Sequence, residues 1–300
     1  MATTPQICFV TDRTLLIPTL IATWTLLKRI SRAPQIHFWG NGLTKADWEK
    51  VERVMATCPE AVLLPYQLDG DELTDARGPS ASQHVSAAAM GRLFIPRKLT
   101  GRILYIDGDT QVTGDVAPLF DLDMGGKPLG AVRDFVMTKL ARRGHGRSAR
   151  KRRMVERCQR LIGHDSVCSY VNSGVLLIDT DAIRANPALI AGMEDIVRAS
   201  AYPLGDQDHI NHVFSGQIAY LNPSWNASWG RAARQCLFAP QAHANTAETQ
   251  NDAPRIVHFH GPRKPWKSAR LDFWSARFRA TQAYRAELRS FLGRFPDLVP

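Results

Sequence analysis

Residues 102–109, Arg-Ile-Leu-Tyr-Ile-Asp-Gly-Asp, set the expected fold of this chain. The apolar run 103–106 is short, continuous and rich in β-formers, which is typical of a strand buried on both faces. Asp107 and Asp109 follow it, at the end of the strand where open α/β sheets collect ligands. Two carboxylates at this spacing in extended chain lie on one side and repel each other unless a cation lies between them. The segment therefore predicts a metal site, and a plain polar turn is the alternative interpretation.

The chemistry of these ligands indicates what the metal would be for. Carboxylate oxygens suit Mg²⁺ or Mn²⁺, which typically bind one or two carboxylates and fill their remaining positions with substrate phosphates. A phosphate ester is therefore the predicted substrate.

Composition limits the class of protein. The chain has 300 residues, of which 44% are hydrophobic, enough for an ordinary buried core. The apolar stretch 14–27 is too short to span a bilayer and lacks the features of a signal peptide. Five cysteines without zinc-like spacing favour a reducing, cytoplasmic setting. The net charge of +10 favours an anionic partner, for which nucleotide, acidic lipid surface and nucleic acid all qualify.

Strand-like and helix-like segments alternate along the first third of the chain. Strands are expected at 7–11, 36–39, 61–64 and 103–106, with helices from Pro18 onward, over 45–58 and over 86–95. No internal repeat and no low-complexity linker divides the sequence. We therefore predict one α/β domain with a decorated C-terminal part.

Three later segments add polar groups to the metal hypothesis. Residues 171–178, Val-Asn-Ser-Gly-Val-Leu-Leu-Ile, place donors, acceptors and a glycine next to an apolar strand. Residues 204–208, Leu-Gly-Asp-Gln-Asp, carry two carboxylates that could fix sugar hydroxyls, although Asp206 could instead cap a helix. Residues 256–266, Ile-Val-His-Phe-His-Gly-Pro-Arg-Lys-Pro-Trp, offer His258 as a third metal ligand and His260 as a second imidazole.

The order and content of these segments resemble the family 8 glycosyltransferases over roughly residues 6–267. The resemblance implies an α/β protein of the GT-A fold, a single Rossmann-like domain (1–267) with a mixed, mainly parallel sheet and a helical, basic-aromatic C-terminal extension (268–300). It also implies Mn²⁺ (or Mg²⁺) held by Asp107, Asp109 and His258.

Further site residues carry over from the family position by position. Gln207, Asp134 and Asp206 are the implied catalytic and sugar-holding residues, and His84 is implied at the cleft edge. The implied donor-binding set is Thr11, Asp12, Arg92, Asp107, Gly108, Asn172, Ser173, Gly261 and Lys264. One position departs from the family, since Leu15 replaces the tyrosine that stacks on uracil, which weakens the expectation of selectivity for that base.

The resemblance implies a retaining hexosyltransferase that moves galactose or glucose from a UDP-sugar to a saccharide or glycolipid acceptor, in lipopolysaccharide or other cell-surface polysaccharide synthesis. Because an amide is a poor nucleophile, we favour same-face attack by the acceptor over a covalent intermediate on Gln207. A nucleotidyltransferase acting on sugar phosphates is the alternative enzyme.

Two basic regions suggest other partners. Residues 139–160 contain ten lysines and arginines. They would suit nucleic acid, contact with an anionic acceptor, or a solvated loop. Nucleic acid is disfavoured because no aromatic residues are interleaved for base stacking. Residues 266–295 alternate aromatic and basic side chains, which suits peripheral contact with an anionic membrane, here the inner face. A terminal helix that packs its aromatic residues on the core is the alternative.

Overall fold

The computed structural model describes residues 3–68, 87–144, 146–164, 166–239, 246–267 and 273–298. Its strands are β1 (Gln6–Asp12), β2 (Gln35–Asn41), β3 (Val62–Leu68), β4 (Arg102–Ile106), β5 (Thr110–Val112), β6 (Leu129–Arg133), β7 (Val171–Asp179), β8 (Ile218–Tyr220), β9 (Ala227–Ser228) and β10 (Ile256–His258).

Seven of these strands form a mixed, mainly parallel sheet in the order β3-β2-β1-β4-β7-β6-β8. β1 is parallel to β2 and β4, and β7 is the one strand antiparallel to its two neighbours, β4 and β6. The strand order therefore reverses between β1 and β4, which opens a crevice at the carboxyl ends of these two strands. The predicted fold class is confirmed. The strands β1, β2 and β4 are apolar and buried on both faces, as is typical of parallel sheets.

The helices cover both faces of this sheet. They are α1 (Leu16–Leu27), α2 (Lys45–Met55), α3 (Ala87–Met90), α4 (Ile95–Lys98), α5 (Phe135–Arg143), α6 (Ala149–Ile162), α7 (Thr180–Arg184), α8 (Pro187–Met193), α9 (Ile196–Ala201), α10 (Asp206–Val213), α11 (Ala232–Phe238), α12 (Thr246–Thr249) and α13 (Ala276–Arg294). Among the residues that the structure describes, no helix has the length and apolar character needed to cross a membrane.

The helix expected over 86–95 is interrupted. Described from Ala87, it ends at Met90, continues as a 3-10 turn over Gly91–Phe94, and restarts as α4 with Pro96 in its first turn. Gly91 explains the irregularity, because a Cβ there would lie 2.9 Å from the side chains of both Val10 and Leu68. Close packing against β1 and β3 thus takes precedence over regular helix geometry.

The terminal helix α13 belongs to the main core. Tyr284 and Phe291 are fully buried, and the ring of Phe291 lies 5.6 Å from that of Trp24 on α1. These contacts agree with the interpretation in which the aromatic residues of this helix face the core. Phe273 and Trp274, which precede the helix, are exposed instead.

A second sheet has three strands in the order β5-β10-β9. In it, His258 on β10 is paired with Thr110 on β5 and with Ser228 on β9. Because Thr110 directly follows Asp109, this pairing brings a histidine from the end of the chain to the acidic turn.

Candidate active site

Asp107 and Asp109 lie in the turn between β4 and β5. The two residues form a polar turn that also brings two carboxylates together, and the binding of a metal there stays a prediction. The Asp107 amide donates to the carbonyl of Gly174 at 2.8 Å, which ties the turn to β7. Asp109 is 9% exposed.

His258 completes a three-residue cluster with these carboxylates. Its Nε2 lies 3.1 Å from Asp109 Oδ1 and 3.7 Å from Asp107 Oδ2. One ligand atom from each residue lies within 4.8 Å of the other two, and the described residues hold no other group of three or more such ligands. The three predicted metal ligands therefore come together in space.

Hydrogen bonds to Nδ1 of His258 orient the imidazole so that the cluster suits a divalent cation. His258 Nδ1 lies 3.1 Å from the side-chain oxygens of both Asn172 and Asn226, so it carries the proton and donates. Nε2 is therefore the ring nitrogen that faces the two carboxylates, and it is the nitrogen that would bind a cation. An imidazole nitrogen and two carboxylate oxygens that face one another suit Mn²⁺ or a similar ion.

Glycine at position 174 leaves the space that this cluster needs. A Cβ at Gly174 would lie 2.1 Å from His258 Cε1 and 2.7 Å from Asp107 Oδ2. Gly108 has a comparable role in the turn, because a Cβ there would lie 2.0 Å from the Thr19 hydroxyl on α1. The two glycines allow the close approach of backbone and ligands.

Lys264 lies beside the cluster. Its ammonium donates to Asp109 and to the Phe259 carbonyl, the latter at 3.2 Å. Burial raises the pKa of the Asp109 carboxyl, but His258 and Lys264 outweigh burial and hold that pKa well below its usual range. Asp109 is therefore ionised, as a metal ligand must be. Gly261, in the same segment, has a φ of 89°, a conformation that favours glycine.

Arg92 is a buried cation beneath the cluster. It donates to Asp107 Oδ1 and to the Ser173 carbonyl, both at 2.8 Å, and lies 3.3 Å from Asp206 Oδ2. Burial lowers the pKa of Arg92, but the two carboxylates outweigh it and raise that pKa above its usual value. Arg92 therefore holds two predicted site aspartates in place, and its contact with a donor stays a prediction.

Asp206 is buried at the start of α10. Its Oδ2 accepts from the Ser173 hydroxyl at 3.1 Å. Burial, only partly opposed by Arg92, raises the pKa of this carboxyl. Gly205, with a φ of 54°, occupies the cap position in its place, so Asp206 does not cap the helix with its side chain.

Gln207 is held in one orientation by three partners. Its Oε1 accepts from the Asn172 amide at 2.9 Å and from the Ser173 backbone at 3.3 Å, and its Nε2 donates to the Tyr170 hydroxyl at 3.3 Å. The predicted residues Asn172, Ser173, Asp206 and Gln207 thus form one hydrogen-bonded group next to the cluster.

Asp134 caps α5. Its Oδ1 accepts from the amides of Val136 and Met137 at 2.8 and 2.9 Å. Burial raises the pKa of Asp134, while these amides and Asn172 oppose the rise. The contact with Asn172 places Asp134 beside the group around Gln207.

Thr11 and Asp12 lie at the end of β1, at the crevice between β1 and β4. Asp12 Oδ1 accepts from the Thr14 and Leu15 amides at 2.9 and 3.1 Å, which turns the chain into α1. Thr11 is buried and accepts from the Thr19 hydroxyl at 3.0 Å. Their contact with a nucleoside stays a prediction.

One predicted residue, His260, stands apart from the cluster. His260 accepts from the Ser228 hydroxyl at 2.7 Å, and burial, reinforced by His258, lowers its pKa to about 3. It lies outside the three-ligand group. His84 lies outside the described residues.

Three residues that sequence reasoning missed support this site. Asn226 donates to Asn172 Oδ1 at 2.9 Å, and Tyr105 donates to Asp107 Oδ1 at 2.5 Å. Tyr170 connects Gln207 to Asp208. Only Tyr105 carried a signal, because it stands two residues before Asp107 on the same strand face.

The model of glycosyl transferase family 8 matches residues 7–270. The chain belongs to glycosyl transferase family 8. This confirms the family that the sequence resembles, and the family match covers every residue of the cluster described above.

Curated relatives have modest identity to the chain. General stress protein A of Bacillus subtilis (strain 168) is 28% identical over 198 residues, 62% of each protein. Glycosyltransferase GlyB of Streptococcus pneumoniae serotype 4 is 26% identical over 187 residues, 62% of this chain and 39% of GlyB. Lipopolysaccharide 1,2-glucosyltransferase of Escherichia coli K12 is 25% identical over 209 residues, 67% of this chain and 54% of that protein. The chain thus spans less than two thirds of each of these relatives.

Solved structures agree with the fold of this family 8 member. The galactosyltransferase LgtC, in complex with donor and acceptor sugar analogues, superposes with a TM-score of 0.69 at 21% identity, covering 94% of this chain and 95% of LgtC. The bifunctional glycosyltransferase WbbM gives a TM-score of 0.67 at 19% identity, covering 97% of this chain and 51% of WbbM. The GT-A fold is therefore confirmed.

Proposed function

We propose that this chain is a metal-dependent, retaining hexosyltransferase that uses a UDP-hexose as donor and a saccharide or glycolipid as acceptor. The observation that carries the proposal is the Asp107, Asp109 and His258 cluster beside Lys264, in a member of glycosyl transferase family 8. The crevice between β1 and β4 is where a nucleotide would lie against this cluster.

Asp107, Asp109 and His258 would hold Mn²⁺ or Mg²⁺. The bound ion would supply positive charge next to the donor diphosphate, as metals do in phosphate chemistry. Lys264 would add an ammonium charge on the same side, which stabilises the negative charge that grows on the leaving diphosphate oxygen.

Transfer breaks the bond between the anomeric carbon and that phosphate oxygen and forms a bond to the acceptor hydroxyl. The departing phosphate oxygen accepts the hydroxyl proton, so no separate protein base is required. Gln207 Oε1 already accepts two hydrogen bonds and belongs to a weakly nucleophilic amide. This supports attack from the same face, with Gln207 orienting the sugar and Asp206 and Asp134 binding its hydroxyls.

Cell-surface glycan synthesis is the proposed setting, because one relative is a lipopolysaccharide glucosyltransferase.

Phe273 and Trp274 support a peripheral contact with the inner face of the membrane, since they are 60% and 94% exposed. Flotation with anionic vesicles tests this location, and binding that is unchanged in Trp274→Ser would contradict it.

A panel of nucleotide sugars tests the activity. We expect one UDP-hexose to release UDP slowly with Mn²⁺ and without acceptor, and expect Asp109→Asn to abolish this release. Asp181→Asn, which removes an exposed carboxylate on α7, is the matched control. Release of pyrophosphate from a nucleoside triphosphate and a sugar phosphate would instead establish a nucleotidyltransferase. The anomeric configuration of a transferred sugar, read by NMR, tests retention.

A further inference from the structure

Helices α5, α6 and α11 carry an unusual excess of positive charge. α5 and α11 contain no acidic residue, and α6 contains six basic residues against Glu156 alone. Five side chains from this region, Lys139, Arg143, Lys151, Arg231 and Arg234, are here called the basic face.

Two aromatic rings hold two arginines of the basic face in position. Phe135 of α5 and Phe238 of α11 pack edge to face, with ring centroids 5.9 Å apart. The guanidinium of Arg231 lies 4.3 Å from the Phe135 ring, and that of Arg143 lies 4.9 Å from the Phe238 ring. The two arginines are therefore held in position over buried aromatic rings.

Members of the basic face are close enough to repel one another. Burial lowers the pKa of Lys139, and the charges that lower it further are those of Arg143, Arg234, Lys151 and Arg231. Like charges gathered in this way destabilise the free protein, and an anion placed among them removes the repulsion.

Arg231 connects the basic face to the candidate active site. Its guanidinium donates to the Ser228 hydroxyl at 2.5 Å, and Ser228 contacts the His260 ring at 2.7 Å. The rings of His260 and His258 are 5.3 Å apart. Three successive contacts therefore link Arg231, a member of the basic face, to the proposed metal ligand His258.

The basic face and the proposed donor site lie on opposite sides of strand β4. The nucleotide crevice lies between β1 and β4, whereas α5 follows β6, which lies on the other side of β4, beyond β7. The acceptor must approach from a direction that the nucleotide leaves open, and the basic face lies on that side.

We infer that the basic face binds phosphate groups carried by the saccharide acceptor. This inference rests on the proposed function, and it adds the chemical class of the acceptor. Guanidinium and ammonium groups from three helices suit a phosphate, which accepts several charge-assisted hydrogen bonds at once. Nucleic acid is a poorer match, because Phe135 and Phe238 are buried and offer no ring for base stacking.

Calorimetric binding of two matched probes tests this inference. The first is a lipopolysaccharide core oligosaccharide, freed of lipid and bearing its phosphates, and the second is the same oligosaccharide dephosphorylated with hydrofluoric acid. We expect the native chain to bind the phosphorylated probe about tenfold more tightly. Lys139→Gln/Arg143→Gln on α5 and Arg234→Gln on α11 should each reduce this preference, the first more strongly.

The matched control is Arg289→Gln/Arg294→Gln, which removes two positive charges from exposed positions on α13 and should keep the preference. Equal binding of the two probes by the native chain overturns the inference, as does a preference that survives both basic-face variants. Vesicles containing phosphatidylglycerol form the third arm. If the basic-face variants lose vesicle binding while the native chain ignores glycan phosphate, the face belongs to lipid headgroups and the inference is wrong.

Because the binding assay needs no donor, it tests the inference independently of the proposed function. A native chain that prefers the phosphorylated probe but cleaves no nucleotide sugar would contradict the proposed function alone.

Discussion

The Tyr170 hydroxyl donates to Asp208 Oδ1 at 2.5 Å and at the same time accepts from the Gln207 amide at 3.3 Å. Burial, reinforced by Asp208, raises the pKa of Tyr170 well above its usual value, so the hydroxyl keeps its proton. Since that proton is directed to Asp208, the tyrosine oxygen presents a lone pair to Gln207. This fixes Gln207 with its nitrogen toward Tyr170 and its oxygen toward Asn172.

Tyr170→Phe should therefore lower kcat for donor cleavage roughly tenfold and change KM for the donor little, because it removes a hydrogen bond that orients Gln207. Steady-state kinetics with the active UDP-hexose measures both constants. Tyr202→Phe, which removes a hydroxyl that accepts from Arg198, is the control and should leave both unchanged. A rise in KM at constant kcat in Tyr170→Phe would contradict the positioning role.

The cluster predicts stabilisation by a divalent cation even without substrate. At a hundredfold excess over its Kd, Mn²⁺ should stabilise the native chain by about 2.7 kcal/mol. This corresponds to a rise in Tm of roughly 5 °C. Asp109→Asn should lose this rise, because Asp109 supplies a ligand oxygen. Differential scanning calorimetry with and without EDTA measures the effect, and an equal rise in native chain and variant would place the ion elsewhere.

Local patterns in the sequence singled out the three residues that the structure brings together in the cluster. Asp107 and Asp109 follow a strand with a clear apolar signature, and His258 lies in a distinctive segment. Their supports were not predictable in this way. Asn226 and Asn172 are 54 residues apart, and no periodicity relates two side chains that meet only after the sheet has formed.

The same distinction holds for the fold. Strands β1, β2 and β4 match their predicted positions closely because their apolar runs are continuous. The helix predicted over 86–95 is interrupted because Gly91 packs against Val10 and Leu68, which come from two different strands. Local propensity favoured a continuous helix, and tertiary packing decided otherwise.

Gly174→Ala should damage the cluster. The added methyl group would overlap His258 and Asp107, so one ligand must move, and the chain should lose about 2 kcal/mol of stability together with its response to Mn²⁺. Gly293→Ala is the control, because nothing lies within 4 Å of a Cβ there and the residue is in a helix. It should gain about 0.5 to 1 kcal/mol and respond to Mn²⁺ normally. Urea unfolding measures both changes, and a normal Mn²⁺ response in Gly174→Ala would show that the cluster has more space than its geometry indicates.

The ion pairs of Glu287 make the stability of the contact between α13 and the end of α1 depend on pH. Glu287 pairs with Lys28, at 3.1 Å, and with Arg29, next to the end of α1. Burial raises the pKa of Glu287, but the hydrogen bonds from Arg29 and Lys28 outweigh burial and lower it. A carboxyl whose pKa is lower in the folded state contributes stability at pH values above its pKa in the unfolded chain. That contribution is lost as the pH falls through the folded-state pKa.

The free energy of unfolding should therefore fall between about pH 5 and pH 3, and part of this fall should disappear in Glu287→Gln. Urea unfolding of native chain and variant across this range measures the difference. Glu52→Gln, which removes a carboxylate from the exposed side of α2, is the control and should keep the native pH profile. A Glu287→Gln profile parallel to the native one would mean that the pairs with Lys28 and Arg29 contribute nothing to the stability of the folded state.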